Sequence, residues 1–296
     1  VPEHFTEIMM LRVILVLFFL ISFSTNAGLR HYASSIETSE WQVSSNTRLQ
    51  CVLSHPLPGY GMANFTSRAS KQLNMAFDLN MYLLPRNFGV ASVYSVPPRW
   101  MPGQMQKAIA DMTLRKQYDG DLPEKTAWTM LSELEKGYQP TIFYQDWYNA
   151  YDKISVGLNA SNFAPSYMEF VQCVSNLLPF SFEDIAYTIV TYQKNSVDLT
   201  KYAQKRLNMI GQYLKQDQDL ALVLLDGYAD SYGGKWKNEE LSVERSQKIK
   251  DYFVKQGVDP ERIALTGHGE RRHIAPNTHE SGRALNRRVV IQMSKP

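Results

Sequence analysis

Two cysteines are all that the 296 residues contain, and a formal net charge of +2 is close to none. So few cysteines exclude a disulfide-dense small scaffold. The charge balance, with no block of lysines and arginines, excludes a basic track for nucleic acid. The apolar run Val13 to Phe23 is too short to cross a bilayer, which takes ~20 residues. No cysteine follows that run, so no lipid is attached there. Residues 28–179 lack a phosphate loop, a metal-ligand spacing and a nucleophile elbow. Internal repeats and a low-complexity linker are missing too. At 44% hydrophobic and 20% charged, the chain still has the apolar content of an ordinary globular protein, enough for about two domains.

The features present begin at the N-terminus. Arg12 precedes the apolar run, and Thr25 and Ala27 put small side chains where a signal peptidase reads. Residues 1–27 are therefore expected to be a signal peptide cleaved after Ala27, the alternative being an uncleaved anchor. The leader 1–8 carries two acids and suits neither, which makes Met9 or Met10 a candidate start. Export puts Cys51 and Cys173 in an oxidising space and predicts one disulfide; two buried thiols are the alternative.

Two grammars follow. Residues 28–179 are rich in aromatics, prolines and short alternating runs. TRLQCVL, VASVYSV, TIFYQDWY and KISVGL read as strands, EKTAWTMLSELEKG as a helix, and MQKAIADMTLRKQ is ambiguous. Residues 180–296 alternate strands with helices, and LALVLLDGYAD is apolar enough to be covered on both faces. The expectation is an α+β chain of two domains: an N-terminal antiparallel β domain with a few helices and a C-terminal α/β sandwich. In VDLTKYAQKRLNMIGQYL the apolar face takes Tyr202, Ala203, Leu207, Ile210 and Leu214.

The sharpest local signal is an arginine in the wrong place. In NEELSVERSQKIKDYF, Leu241, Ile249, Tyr252 and Phe253 mark the dry stripe of a helix that Asn238 can cap. Arg245 lies four residues from both Leu241 and Ile249, so it shares their stripe. A charge there needs an anion, because stripping a buried charge of its partner costs roughly 3–5 kcal/mol. Asp230 ends the preceding strand, where ligands of open α/β sheets settle. Two readings are open: a plain Asp230–Arg245 salt bridge, or an acid and a base gripping the two ends of a zwitterion.

DGYADSYGGKWKNEELSVERSQKIKDYF and the later SGRALNRRVV resemble the OmpA-like peptidoglycan-binding domain over about residues 180–296. Asp230, Asn238, Leu241, Ser242, Arg245, Gly282, Arg283, Asn286, Arg287, Arg288 and Val289 stand in that family's register. The resemblance implies that Asp230 and Arg245 hold the ammonium and carboxylate of diaminopimelate in a cell-wall stem peptide. It implies that Asn238 shapes the site, that the Leu241 segment offers backbone contacts, and that Asn286 and Arg287 line the crevice. Arg283 and Arg288 read equally as solvated or strand-edge residues. Ala229, Ser246, Ile249 and Phe253 depart from the family pattern, and Ser246 is placed to bond back to its own helix. Arg245→Ala is then expected to end binding to sacculi with the fold intact.

EWQVSSNTRLQCVLSHPLPGYGMANF, SVPPRWMPG, FYQDWY and FVQCVSNLLPFSFEDIAY resemble the MotY family of flagellar motor proteins. That likeness implies a periplasmic, non-enzymatic part of the T ring, a collar on the flagellar basal body. Its partners would be a MotX-like protein, the stator complex and peptidoglycan. Residues 28–179 would dock to the basal body and 180–296 to the wall, with Cys51–Cys173 as the family disulfide. The runner-up is an OmpA-like wall-binding protein without a flagellar role. A stator subunit is set aside because residues 11–24 hold no acid. A wall-cleaving metalloenzyme is set aside because His268, His273 and His279 have no zinc spacing. No cofactor, metal or catalytic residue is expected. Lone acids such as Asp146 read as structural.

Overall fold

The computed structural model describes residues 28–295 except 219 and 221. The expected signal peptide and its cleavage site lie outside the described residues. Among the latter, no helix is long and apolar enough to cross a membrane.

The chain divides into two compact units. The described part of the first comprises 28–40, His55–Ala63 and Phe77–Ala164. Its main sheet holds β1 (Leu29–Tyr32), β6 (Gly89–Val96), β7 (Lys107–Leu114), β9 (Gln139–Gln145) and β10 (Lys153–Gly157) in the order β1-β10-β9-β6-β7. Pairing is antiparallel except for β1, which runs parallel to β10. The ambiguous MQKAIADMTLRKQ stretch thus supplies a strand: Met112 and Leu114 alternate inward while their neighbours face water. EKTAWTMLSELEKG forms α1 (Glu124–Glu135), burying Ala127, Met130, Leu131 and Leu134 at helical spacing. A further pair, β5 (Ala76–Met81) with β8 (Gly120–Leu122), is antiparallel. Asp146 is buried and has the partner that local sequence did not reveal, the guanidinium of Arg30.

The second unit comprises Trp41–Ser54, Asn64–Ala76 and 165–295. β2 (Gln42–Asn46) pairs antiparallel with β3 (Gln50–Leu57), which belongs to this unit as far as Ser54, and β4 (Gly61–Arg68) belongs to it from Asn64 on. Cys51 on β3 and Cys173 on α2 (Phe163–Ser175) form a disulfide with Cα atoms 6.0 Å apart, and both are buried. The α/β part contains β11 (Tyr187–Thr191), α3 (Lys201–Gln216), β12 (Leu222–Tyr228), α4 (Lys235–Lys255), β13 (Ile263–Gly267), α5 (Glu280–Asn286) and β14 (Arg288–Ser294). Sheet order is β11-β14-β12-β13; β14 is antiparallel to both neighbours, and β12 is parallel to β13. The carboxyl ends of β11, β12 and β13 therefore meet the start of β14 along one edge, which places the site.

Leu207, Ile210, Leu214, Val223, Leu225, Ile249, Phe253, Val289 and Ile291 share one core. Tyr202, expected on the dry face of α3, is 76% exposed. The helix opens at Thr200, whose hydroxyl accepts from Ala203 N, and its buried face runs through Ala203, Leu207 and Ile210, leaving Tyr202 a step off it. Asn238 is not the cap of α4 either. Lys235–Lys237 extend the helix back to Gly234, and Asn238 sits buried a full turn inside.

The register partners Gly227 and Gly267 lie beneath α4. A Cβ on Gly227 would meet the backbone oxygen of Ser242 at 2.1 Å, and one on Gly267 would meet Ser242 Oγ at 2.8 Å. Two bare positions let the helix come down onto the sheet. Gly227→Ala is expected to cost roughly 1–3 kcal/mol by overpacking, read as a lowered denaturation midpoint; an unchanged midpoint would mean the helix can shift freely.

Candidate functional site

Five of the six residues placed by the spacing and the resemblance converge at the strand-end edge, and they are more deeply buried than a crevice lining suggests. Asp230, Asn238, Arg245, Asn286 and Arg287 are all 5% exposed or less, and Leu241 is half-buried. Burial of so many polar groups demands that each be matched.

Asp230 is matched by Arg287, not by Arg245. Arg287 Nη1 donates to Asp230 Oδ2 at 2.8 Å, its Nη2 to Glu280 Oε1 at 2.6 Å, and its Nε to the Tyr192 carbonyl at 3.1 Å. Register explains the meeting: Arg288 pairs with both Thr191 and Tyr228, so Arg287 emerges between the ends of β11 and β12. The other Asp230 oxygen accepts the Tyr232 N–H at 3.1 Å, and its backbone carbonyl accepts from Asn238 Nδ2 at 3.1 Å. Asn238 thus pins the strand end to α4, and its amide also reaches Glu270. The simple Asp230–Arg245 salt bridge is replaced by a pair between residues 57 positions apart. Hydrogen bonds from Arg287 hold Glu280 below the ordinary carboxylate range.

Arg245, the largest fully buried side chain among the described residues, donates to three neutral oxygens. Nε donates to the Ser196 carbonyl at 3.0 Å, Nη2 to that of Gln193 at 3.2 Å, and Nη1 to that of Tyr228 at 3.4 Å. The guanidinium also lies 4.9 Å from the centre of the Tyr192 ring. Desolvation pushes its pKa down to about 10, with the Arg287 charge adding to the fall. At neutral pH the group is therefore still a cation, one whose hydrogen bonds end on dipoles and not on a carboxylate.

Around this pair the walls are built by the remaining family positions. Asn286 accepts from Ile274 N and Ala275 N and donates to the Ala275 carbonyl and Asn277 Oδ1, which locks the 274–277 loop. Ser246 bonds back to the Ser242 carbonyl at 3.2 Å, as its position on the packed face implied. Arg283 contacts Glu280 and the Asn277 carbonyl. Arg288 is 4% exposed and lies over the Tyr228 ring, which is a packed strand position and not a solvated one. His268 is engaged by Asp226 at 2.8 Å and stacks on Tyr228, while His273 meets Asn277. No residue pattern marks Tyr192, Gln193, Ser196, Glu270 or Glu280 as part of the site. Backbone carbonyls leave no trace in residue identity, and the two acids sit among ordinary loop charges.

Residues 191–287 match the OmpA family, so the site belongs to an OmpA-like domain. Residues 32–179 match the MotY N-terminal domain. The sodium-type flagellar protein MotY of Vibrio parahaemolyticus is 41% identical over 266 residues, 90% of this chain and 91% of that one. The chain belongs to the MotY family of flagellar motor proteins, with a C-terminal OmpA domain. Over the C-terminal part alone, the peptidoglycan-binding protein ArfA of Mycobacterium tuberculosis is 41% identical over 85 residues, 29% of this chain and 26% of that protein. Among solved structures, the peptidoglycan-associated lipoprotein of Burkholderia pseudomallei matches at 23% identity and TM-score 0.35, covering 36% of this chain and 89% of that one. The C-terminal domain of Helicobacter pylori MotB matches at 20% identity and TM-score 0.34, covering 37% and 85%.

Proposed function

We propose that this protein is a non-enzymatic, periplasmic component of the flagellar T ring that moors the basal body to peptidoglycan. Residues 180–296 form the wall-binding domain; residues 28–179 dock to the basal body, a MotX-like partner and the stator complex. A stator turns a rotor only when its own surroundings are held, and cross-linked peptidoglycan is the stiff body within reach.

One observation carries the reading: a buried guanidinium whose hydrogen-bond partners are neutral carbonyls, one strand end away from a carboxylate. Such a cation is a strong site for an incoming carboxylate, because a charge-assisted, two-pronged bond outmatches a pair of dipoles. Arg245 receives the carboxylate of the diaminopimelate residue, and Asp230 receives its ammonium. Arg287 and Glu280 orient Asp230, Asn238 fixes the strand end, Asn286 holds the loop wall, and the Leu241 segment lends backbone.

The test uses isolated sacculi and the whole chain. The parent is expected to pellet with sacculi, and Asp230→Asn to bind roughly 10- to 100-fold more weakly, the loss of one charge-assisted bond of ~1.5–3 kcal/mol. Equal pelleting of the two proteins defeats the clamp. A deletion strain that still swims normally would leave the wall binding but remove the motor.

A further inference from the structure

The bonds of Arg245 carry more than stability. In a guanidinium, Nε–H and one Nη–H point the same way and form the edge that meets the two oxygens of a carboxylate side by side. Here Nε and Nη2 are taken by the carbonyls of Ser196 and Gln193, at 3.0 and 3.2 Å. Both oxygens come from one tight turn between β11 and α3, closed by Ser196 N–H donating to the Gln193 carbonyl at 3.2 Å. Within that turn Asn195 has φ of 52°, the left-handed region that a residue with a Cβ occupies at a cost.

Two exposed contacts hold the turn in place. Lys194 Nζ lies 3.9 Å from the centre of the Tyr232 ring, joining the turn to the loop that follows Asp230. Asp198 is paired with Lys248 of α4 at 3.0 Å. Tyr232 is 62% exposed, so burial does not account for its place beside Lys194.

We infer that Gln193–Ser196 is a strap that occupies the carboxylate-binding edge of Arg245 with two carbonyls of its own, latched by Lys194 on Tyr232, and that a wall peptide binds by displacing it. This rests on the peptidoglycan-binding reading and adds its regulation. The two carbonyls imitate the ligand in geometry and not in charge, so a carboxylate displaces them, while a neutral group gains nothing by the exchange. The wall affinity of the protein is then set partly by the latch, and any partner that lifts Lys194 off Tyr232 tightens the mooring.

The experiment compares sacculus pelleting by the whole chain, by Lys194→Ala and by Tyr232→Ala. An exposed cation–π contact contributes about 0.5–1 kcal/mol, and apparent affinity scales with the open fraction, so each variant is expected to bind roughly 2- to 5-fold more tightly. The double variant should bind no more tightly than either single one, because both remove the same contact. A second measurement follows amide exchange of residues 193–198 as a soluble muropeptide containing diaminopimelate is added; faster exchange is expected. Unchanged or weaker pelleting in both variants, or greater protection of those amides on binding, overturns the strap while leaving the site standing. Failure of the parent chain to pellet, or equal pelleting by Asp230→Asn, removes the site itself.

Discussion

Arg245→Ala is expected to destabilise the α/β domain by about 2–5 kcal/mol and lower its melting temperature by more than about 5 °C. The substitution deletes the largest fully buried side chain among the described residues and takes the donors from three carbonyls, those of Gln193, Ser196 and Tyr228. Of the three, only the Tyr228 bond is buried, and that acceptor left bare costs ~1–3 kcal/mol, to which the cavity adds. Relief of the desolvation that depresses the arginine's pKa offsets a part. The sequence pattern alone predicts lost wall binding in an intact fold; the burial of Arg245 turns that expectation around, because its loss of binding would be entangled with unfolding. Denaturant titration is the check. A variant whose midpoint matches the parent's would show that the three carbonyls find water or other donors. Arg245→Lys keeps the charge but not the two-pronged edge, so it should retain more stability than the alanine variant.

The second large effect lies in the Cys51–Cys173 bond. Its partners are 122 residues apart, and a cross-link over so long a loop removes much of the unfolded chain's freedom, about 4–5 kcal/mol in the entropic account. The double variant Cys51→Ser, Cys173→Ser should fold to the same structure with a lower denaturant midpoint and reduced abundance in the cell. Reduction of the parent should reproduce that midpoint. A loss below about 1 kcal/mol would mean that packing around β3 and α2 already restrains the unfolded chain.

Both effects illustrate what a residue pattern can carry. The helix of Arg245 was legible because a charge four residues from Leu241 and from Ile249 cannot leave the stripe they define. The position of Asp230 was legible because an apolar strand of that length ends where it does. The partner of Asp230 was not: Arg287 reaches it only because β14 lies between β11 and β12, an order of strands that no local spacing encodes. Asn238 and Tyr202 depart from the apolar pattern for a smaller reason. Helix ends are decided by caps, and Gly234 and Thr200 set the frame one turn or one residue away from the apolar pattern.

Sequence by itself determined the α/β alternation, the family register, the buried arginine and the pair of cysteines, since each follows from periodicity, residue type or count. Tertiary structure alone decided who neutralises whom: Asp230 with Arg287, and Arg245 with the carbonyls of a distant turn. The physical reason is that every residue carries the same carbonyl. Which ones reach a buried guanidinium depends on where the backbone passes, and so on the packing of the whole domain.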